Sequence, residues 1–239
     1  MKILAHCTEC LTREVAGKKI GDPFKVQLYE AEIDDNASVT FTCPVGHTTL
    51  CLHRSGKHQL LFESGCLALL DGYPNEAAST IAASLERAYE FFIRVACRAL
   101  GVDVAAFADT WKHVAAQSER QFGAFLFLHT VLTKSSFAIE PKLQEFRNKV
   151  IHKGHLVRSV EVKWYGQAVF DLIRHLMGVL STTCSTEMWA EINEAAERRR
   201  AAAEDAGPTL WISGDEWDLR KSLSFENYLE DLRRKRTGA

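Results

Sequence analysis

The stretch PKLQEFRNKVIHKG, residues 141–154, decides how the rest of the chain is read. Pro141 suits the first position of a helix, where its missing N–H costs nothing. Leu143, Phe146 and Val150 recur at helical spacing and give that helix a core face, and Gly154 ends it. Asn148 and His152 stand four residues apart, on one face and one turn from each other. Arg147 lies about 100° around the axis from Asn148. The polar trio is therefore presented outward or into a groove.

Outward from this segment the texture is helical. Pro74-Asn75 opens a long helix that runs to Leu100 and stops at Gly101, with Ile81, Leu85, Tyr89, Phe92 and Ala96 as its apolar stripe. VAAFADTWKHVAAQ (104–117) is a weaker, short helix. RQFGAFLFLHTVL (120–132) is apolar nearly all round and is expected as a central, buried helix. VKWYGQAVFDLIRHLMGVL (162–180) turns Val169, Leu172, Ile173 and Leu176 inward, and the charged helix from Ser185 is expected to be mostly solvated. Near the end, TLWISG (209–214) reads as a short strand and SFENYLEDLRRKR (224–236) as an amphipathic helix capped by Ser224. Trp211 and Trp217 in this tail are candidates for packing on a neighbouring subunit.

In front, residues 1–62 are β-rich. FKVQLYEAEI (24–33) and SVTFTC (38–43) carry β-branched and aromatic residues, with a polar break at DDNA between them. TTLCLH (48–53) follows CPVGH and completes a hairpin. Gly65, Gly72 and Pro74 punctuate a boundary between about residues 60 and 74. The expected division is 1–62, 63–205 and 206–239, and the fold class is mainly α: a helical bundle behind a small β-rich segment.

Among 239 residues the formal net charge is −2, which disfavours indiscriminate nucleic-acid binding but permits a local basic patch. No apolar run has the length of a membrane span, and MKILAHCTEC lacks the apolar stretch and cleavage site of a signal peptide. A soluble, cytoplasmic protein is expected. The seven cysteines are an odd number, so a reducing compartment without a disulfide framework is the economical reading.

Cys7 and Cys10, in a C-x-x-C turn, are half of a tetrahedral zinc site. Cys43 and His47, flanking Pro-Val-Gly between two strands, supply the other half. The β segment resembles a zinc ribbon, closed by Cys7, Cys10, Cys43 and His47, with Cys51 or His53 on the next strand as the alternative to His47. Four protein ligands leave no open position, so the zinc is expected to be structural. It would staple a segment too small to hold a core alone.

Arg147, Asn148 and His152 form a set suited to cleaving RNA. Attack of a ribose 2′-OH on its own phosphate needs a base near neutral pKa, which imidazole supplies. Guanidinium can hold the charge gathering on the phosphate oxygens, and an amide can orient the phosphate or the ring. The nucleophile is in the substrate, so no catalytic metal is needed, and DNA would be left uncut. One histidine per chain is thin for a reaction using both a base and an acid, which invites a homodimer with a shared site. Lys149, Lys153, Arg158 and Lys163 around the motif are candidates to track an RNA backbone.

RNKVIHKG resembles the R-N-x-x-x-H motif of HEPN-superfamily ribonucleases, small helical bundles that dimerise to build a composite site. SLERAYEFFIRV resembles that family's leading helix and VKWYGQAVFDLI the helix after the motif, so the likeness covers roughly residues 75–180. The resemblance implies Arg147 and His152 as the catalytic pair, with Asn148 as the polar residue beside the arginine. It also implies a role as a toxin or antiviral defence factor, restrained by an inhibitory or triggering partner. An inactive bundle that binds RNA or protein is the alternative. More plainly, His152 would be a helix-end residue favoured by the dipole, His155 a loop residue, and Glu90 with Arg94 a routine i,i+4 pair. Glu86 is a lesser candidate for reaching the site.

Overall fold

The computed structural model describes residues 2–16, 18, 27–202, 209–212 and 224–237. These form nine helices and five short strands, so the chain is mainly helical with a small β segment in front. It divides into two compact units. One joins residues 1–55 to 192–214, and the other joins 56–191 to 215–239. This differs from the expected cuts near 62 and 205, because strand pairing between distant segments, which local pattern does not encode, draws residues 192–214 to the first unit.

In the first unit β1 (Lys2–His6) pairs antiparallel with β2 (Leu28–Glu32). A second sheet has the order β3 (Ser38–Thr42), β4 (Thr48–His53), β5 (Thr209–Ile212), antiparallel and then parallel. The expected break at residues 34–37 is an Asp34 turn: its carboxylate accepts from the Asn36 N–H at 2.9 Å and the Ser38 N–H at 2.8 Å. Ala5, Val39 and Cys51 make a small core, joined by Ala31, Ile33 and Phe41. A short helix not anticipated from sequence, α1 (Thr8–Val15), follows β1. The C-x-x-C pair is therefore on the first turn of a helix rather than in a free turn, Cys7 as its N-cap. TLWI forms a strand as expected; the Trp211 side chain and Trp217 lie outside the described residues.

The second unit is built on α3 (Pro74–Ala99), against which α2 (Lys57–Leu70), α5 (Ser118–Thr133), α6 (Pro141–Lys153) and α7 (Ser159–Thr183) all pack. The shorter α4 (Val104–Val114) joins α3 to α5, and α8 (Ser185–Ala201) follows α7. The C-terminal α9 (Phe225–Thr237) packs on α2 and α7. Phe62, Phe170, Phe225 and Tyr228 cluster there in tilted and edge-to-face contacts, and Gly166 leaves room for the Phe225 ring, which a Cβ would meet at 2.5 Å. Ser224 caps α9 as expected, accepting from the Asn227 N–H at 3.2 Å.

Gly65, read from sequence as a boundary mark, lies inside α2, where a Cβ would sit 2.7 Å from Ile81. It lets α2 and α3 approach closely. Gly72 does end a helix, in the left-handed conformation at φ +83°. One other expectation changes. α5 buries one face only, through Gln121, Phe125 and His129, while Phe127 is 79% exposed. α8 is mostly solvated as expected, with Met188, Glu191, Ile192 and Ala196 as a narrow buried stripe.

Candidate functional site

Two groups of polar side chains stand out, one in each unit. In the first, Cys7 closes β1 and Cys10 lies one turn into α1, while Cys43 and His47 flank the β3–β4 turn. That turn is held by the Cys43 N–H to the His47 carbonyl at 3.0 Å and the Gly46 N–H to the Cys43 carbonyl at 2.9 Å, with Gly46 at φ +93°. The ligand atoms of all four residues lie within 4.8 Å of one another. Cys10 Sγ is 3.8 Å from Cys43 Sγ, and His47 Nδ1 is 3.7, 3.3 and 3.7 Å from the sulfurs of Cys7, Cys10 and Cys43.

A tetrahedral ion with bonds of about 2.3 Å to sulfur sets its sulfur ligands about 3.8 Å apart. The four residues can therefore bind a metal ion with little movement. Electrostatics point the same way. Burial raises the Cys7 thiol, but hydrogen bonds, first from the Cys10 N–H, outweigh it and bring the pKa down to about 6. Cys10 is pushed up to about 11 by burial and by its neighbours Cys7 and Cys43. Sulfurs this crowded cannot all carry charge alone, a conflict that a divalent cation removes.

His47 Nε2 lies 3.4 Å from Glu9 Oε2 on α1. A carboxylate there favours the proton on Nε2 and frees Nδ1, the nitrogen facing the sulfurs. Sequence reading missed Glu9, though its place inside C-x-E-C was a usable sign. Cys51 instead belongs to the apolar core beside Ala5 and Val39, and burial lifts its thiol to about 11. Among the described residues the group placed so that it could hold a metal ion is Cys7, Cys10, Cys43 and His47, without Cys51 or His53.

In the second unit, α6 has the expected form, from Pro141 at its first position to Gly154 at φ +61°. Leu143 and Val150 are buried, and Phe146 is half-buried against Trp164 and Tyr165. This anchoring leaves Asn148 and His152 exposed and Arg147 partly covered. Arg147 Nη1 donates to Asn148 Oδ1 at 3.1 Å and contacts His152 Nε2 at 3.2 Å. A guanidinium cannot accept, so in this contact Nε2 can serve only as the acceptor. Nη2 donates to the Glu86 carboxylate on α3 and to Ser118 Oγ at 3.2 Å on α5. Three helices thus converge on one guanidinium.

No family model, curated protein or solved structure matches this chain.

Arg147 and Asn148 also line a pocket of about 200 Å³, with Glu86, Ser118 and Gln144. Leu85, Tyr89, Phe122, Ile139, Leu143 and Tyr165 form its apolar wall. Of the four basic candidates, Lys149 and Lys153 are exposed near His152. Arg158 is engaged by Glu161 at 3.3 Å and Lys163 by Glu226 at 3.2 Å, so the structure gives them acidic neighbours. The loop after the motif is tied to α3: Asn75 Nδ2 donates to the His155 carbonyl at 2.8 Å, and its Oδ1 accepts from the Val157 N–H at 3.1 Å. Ser118 and Asn75 carry no local sequence signal for these roles. Glu90 pairs with Arg94 at 2.9 Å, the routine arrangement expected, and also with Arg87.

Proposed function

We propose that the chain is a metal-independent endoribonuclease of the HEPN type, with Arg147, Asn148 and His152 as its catalytic residues. The observation that carries this reading is the placement of His152 Nε2 and Asn148 Oδ1 on one nitrogen of a guanidinium held from behind by Glu86. A phosphate entering the site replaces His152 and Asn148 as acceptor at Nη1, while Glu86 keeps Nη2. His152 Nε2 is thereby released as a base and takes the proton of the 2′-OH. The 2′-oxygen attacks phosphorus, the bond to the 5′-oxygen breaks, and Arg147 holds the charge on the non-bridging oxygens. The products are a 2′,3′-cyclic phosphate and a 5′-OH.

The leaving 5′-oxygen needs a proton, and a second chain's His152 is the proposed donor. Ile151, Leu156, Val160 and Trp164, all exposed, surround the end of α6 and support a pairing face there. Leu156 is 83% and Val160 63% exposed, unusual for apolar side chains unless something covers them. Lys149 and Lys153, both exposed beside the motif, would track the backbone of bound RNA. Cys7, Cys10, Cys43 and His47 would hold a structural zinc ion, which supplies folding free energy and takes no part in cleavage. A role in defence or as a toxin, held in check by a partner, follows from the family resemblance.

A second reading is favoured by one observation: both terminal nitrogens of Arg147 are already engaged within its own chain, by Glu86, Ser118, Asn148 and His152. In that reading the bundle binds RNA or protein without cutting it. Rates of cleavage of structured RNA by wild type, Arg147→Ala and His152→Ala separate the two. The ribonuclease reading expects about a 10²–10⁴-fold loss in each variant, the usual contribution of such groups. No cleavage by wild type, with RNA bound equally by His152→Ala, would favour the binding module.

A further inference from the structure

The pocket beside Arg147 has no role in the reaction as described, yet its walls and its rim differ in kind. Tyr89, Phe122 and Tyr165 give it flat aromatic surface, and Leu85, Ile139 and Leu143 complete an apolar slot. At about 200 Å³ it falls below the roughly 300 Å³ at which drug-sized ligands are taken. One planar ring suits that size better than a whole nucleotide. Arg147 and Asn148 line the same pocket, so a ring seated in it would have its own sugar and phosphate directed at the guanidinium.

The rim carries a reader. Gln144 lies one turn before Asn148 on α6, on the same face, and is exposed. It lines the pocket, and its amide has no hydrogen-bond partner among the described residues. A side-chain amide offers one acceptor and two donors in a plane, the pattern that matches a base edge in a bidentate pair. Single-stranded RNA is commonly read this way, by stacking a splayed base on aromatic side chains and bonding its edge. Glu86 and Ser118 are engaged by Arg147, and Ser118 also meets Glu119 at 3.4 Å, whereas Gln144 offers both the donors and the acceptor of its amide at the rim.

We propose that this pocket is a nucleobase subsite, taking the base next to the scissile phosphate, with Gln144 as the residue that selects it. The inference rests on the ribonuclease reading for its substrate, but binding tests it without cleavage. The probes are fluorescently labelled 2′-deoxy hexamers of A, C, G and U, which lack the nucleophile and cannot be cut. Their affinities are measured by anisotropy for the full-length wild type, Gln144→Ala, Arg147→Ala and His152→Ala. Gln144 is exposed, so its truncation leaves the core intact.

Wild type is expected to favour at least one base over the weakest by about tenfold, the scale of one stacked or bidentate contact. Gln144→Ala flattens the ranking to within about twofold. His152→Ala keeps the ranking, and Arg147→Ala weakens all four alike. Equal affinities in wild type, a ranking that survives Gln144→Ala, or no binding of any hexamer would overturn the subsite. RNA cleavage without base ranking would leave the ribonuclease standing and remove the pocket. Ranked binding lost in Gln144→Ala, without RNA cleavage, would do the reverse.

Discussion

The carboxylate of Glu86 on α3 grips the guanidinium of Arg147 on α6, 61 residues later in the chain. The pair is partly covered, with side-chain exposures of 29% and 19%, and in the proposed reaction it sets which face of Arg147 meets the phosphate. Replacing Glu86 with Gln keeps the shape and removes the charge. Cleavage should fall about tenfold to a hundredfold, less than for Arg147→Ala, with the loss mainly in kcat because the proposed reaction has Arg147 act as the charge settles. A Glu86→Gln enzyme as fast as wild type would show that Arg147 needs no such holder.

The cluster of Cys7, Cys10, Cys43 and His47 predicts a metal-dependent first unit. Purified protein should carry one zinc ion per chain by elemental analysis, and Cys43→Ser should lose it together with cooperative melting of that unit. Glu9→Gln should retain the fold but release zinc to a chelator at about 10- to 100-fold lower competitor concentration, as expected when the group behind a histidine ligand is removed. Metal content unchanged in Cys43→Ser would exclude the four-residue site.

Acid should destabilise the bundle through His58. The ring is 1% exposed, and burial lowers its pKa from 6.5 to about 4. An unfolded chain restores the ordinary value, so unfolding takes up a proton between about pH 6.5 and 4. Stability is complete above pH 6.5 and falls as pH drops toward 4. Between pH 7 and 5 the loss from this one group is about 2 kcal/mol. Denaturant unfolding at the two pH values should show it, and His58→Phe should remove that share. His53, lowered to about 4 by burial and by Arg199, adds the same sign in the first unit.

The exposed apolar residues after the motif predict an assembly that a single charge breaks. Val160→Glu should shift the protein from dimer to monomer in sedimentation analysis and abolish cleavage, with helical content unchanged. A monomeric wild type that cleaves RNA at full rate would remove the shared site from the account.

Much of this was legible in the sequence, for physical reasons specific to each part. Pro141, the Leu143–Val150 spacing and Gly154 are local signals, and α6 follows them residue by residue. The Cys and His spacings likewise announced the cluster, because short turns hold ligand pairs together whatever surrounds them. α2 was missed because KHQLLFESGCLALL is apolar on several sides and shows little helical period, and because Gly65 looks like a break while it serves a close helix contact. The outward face of α5 was missed since an apolar residue such as Phe127 carries no mark of its exposure. Glu86 was named only as a lesser candidate, and Ser118 and Asn75 not at all, because their contacts span 29 to 82 residues, which no local pattern encodes.

The most direct test of the central claim is to map the product ends of structured RNA treated with wild type and His152→Ala in excess EDTA. The account predicts 2′,3′-cyclic phosphate and 5′-OH ends from wild type and none from His152→Ala. Cleavage that stops with EDTA while the protein stays folded, or that leaves 5′-phosphate ends, would contradict it.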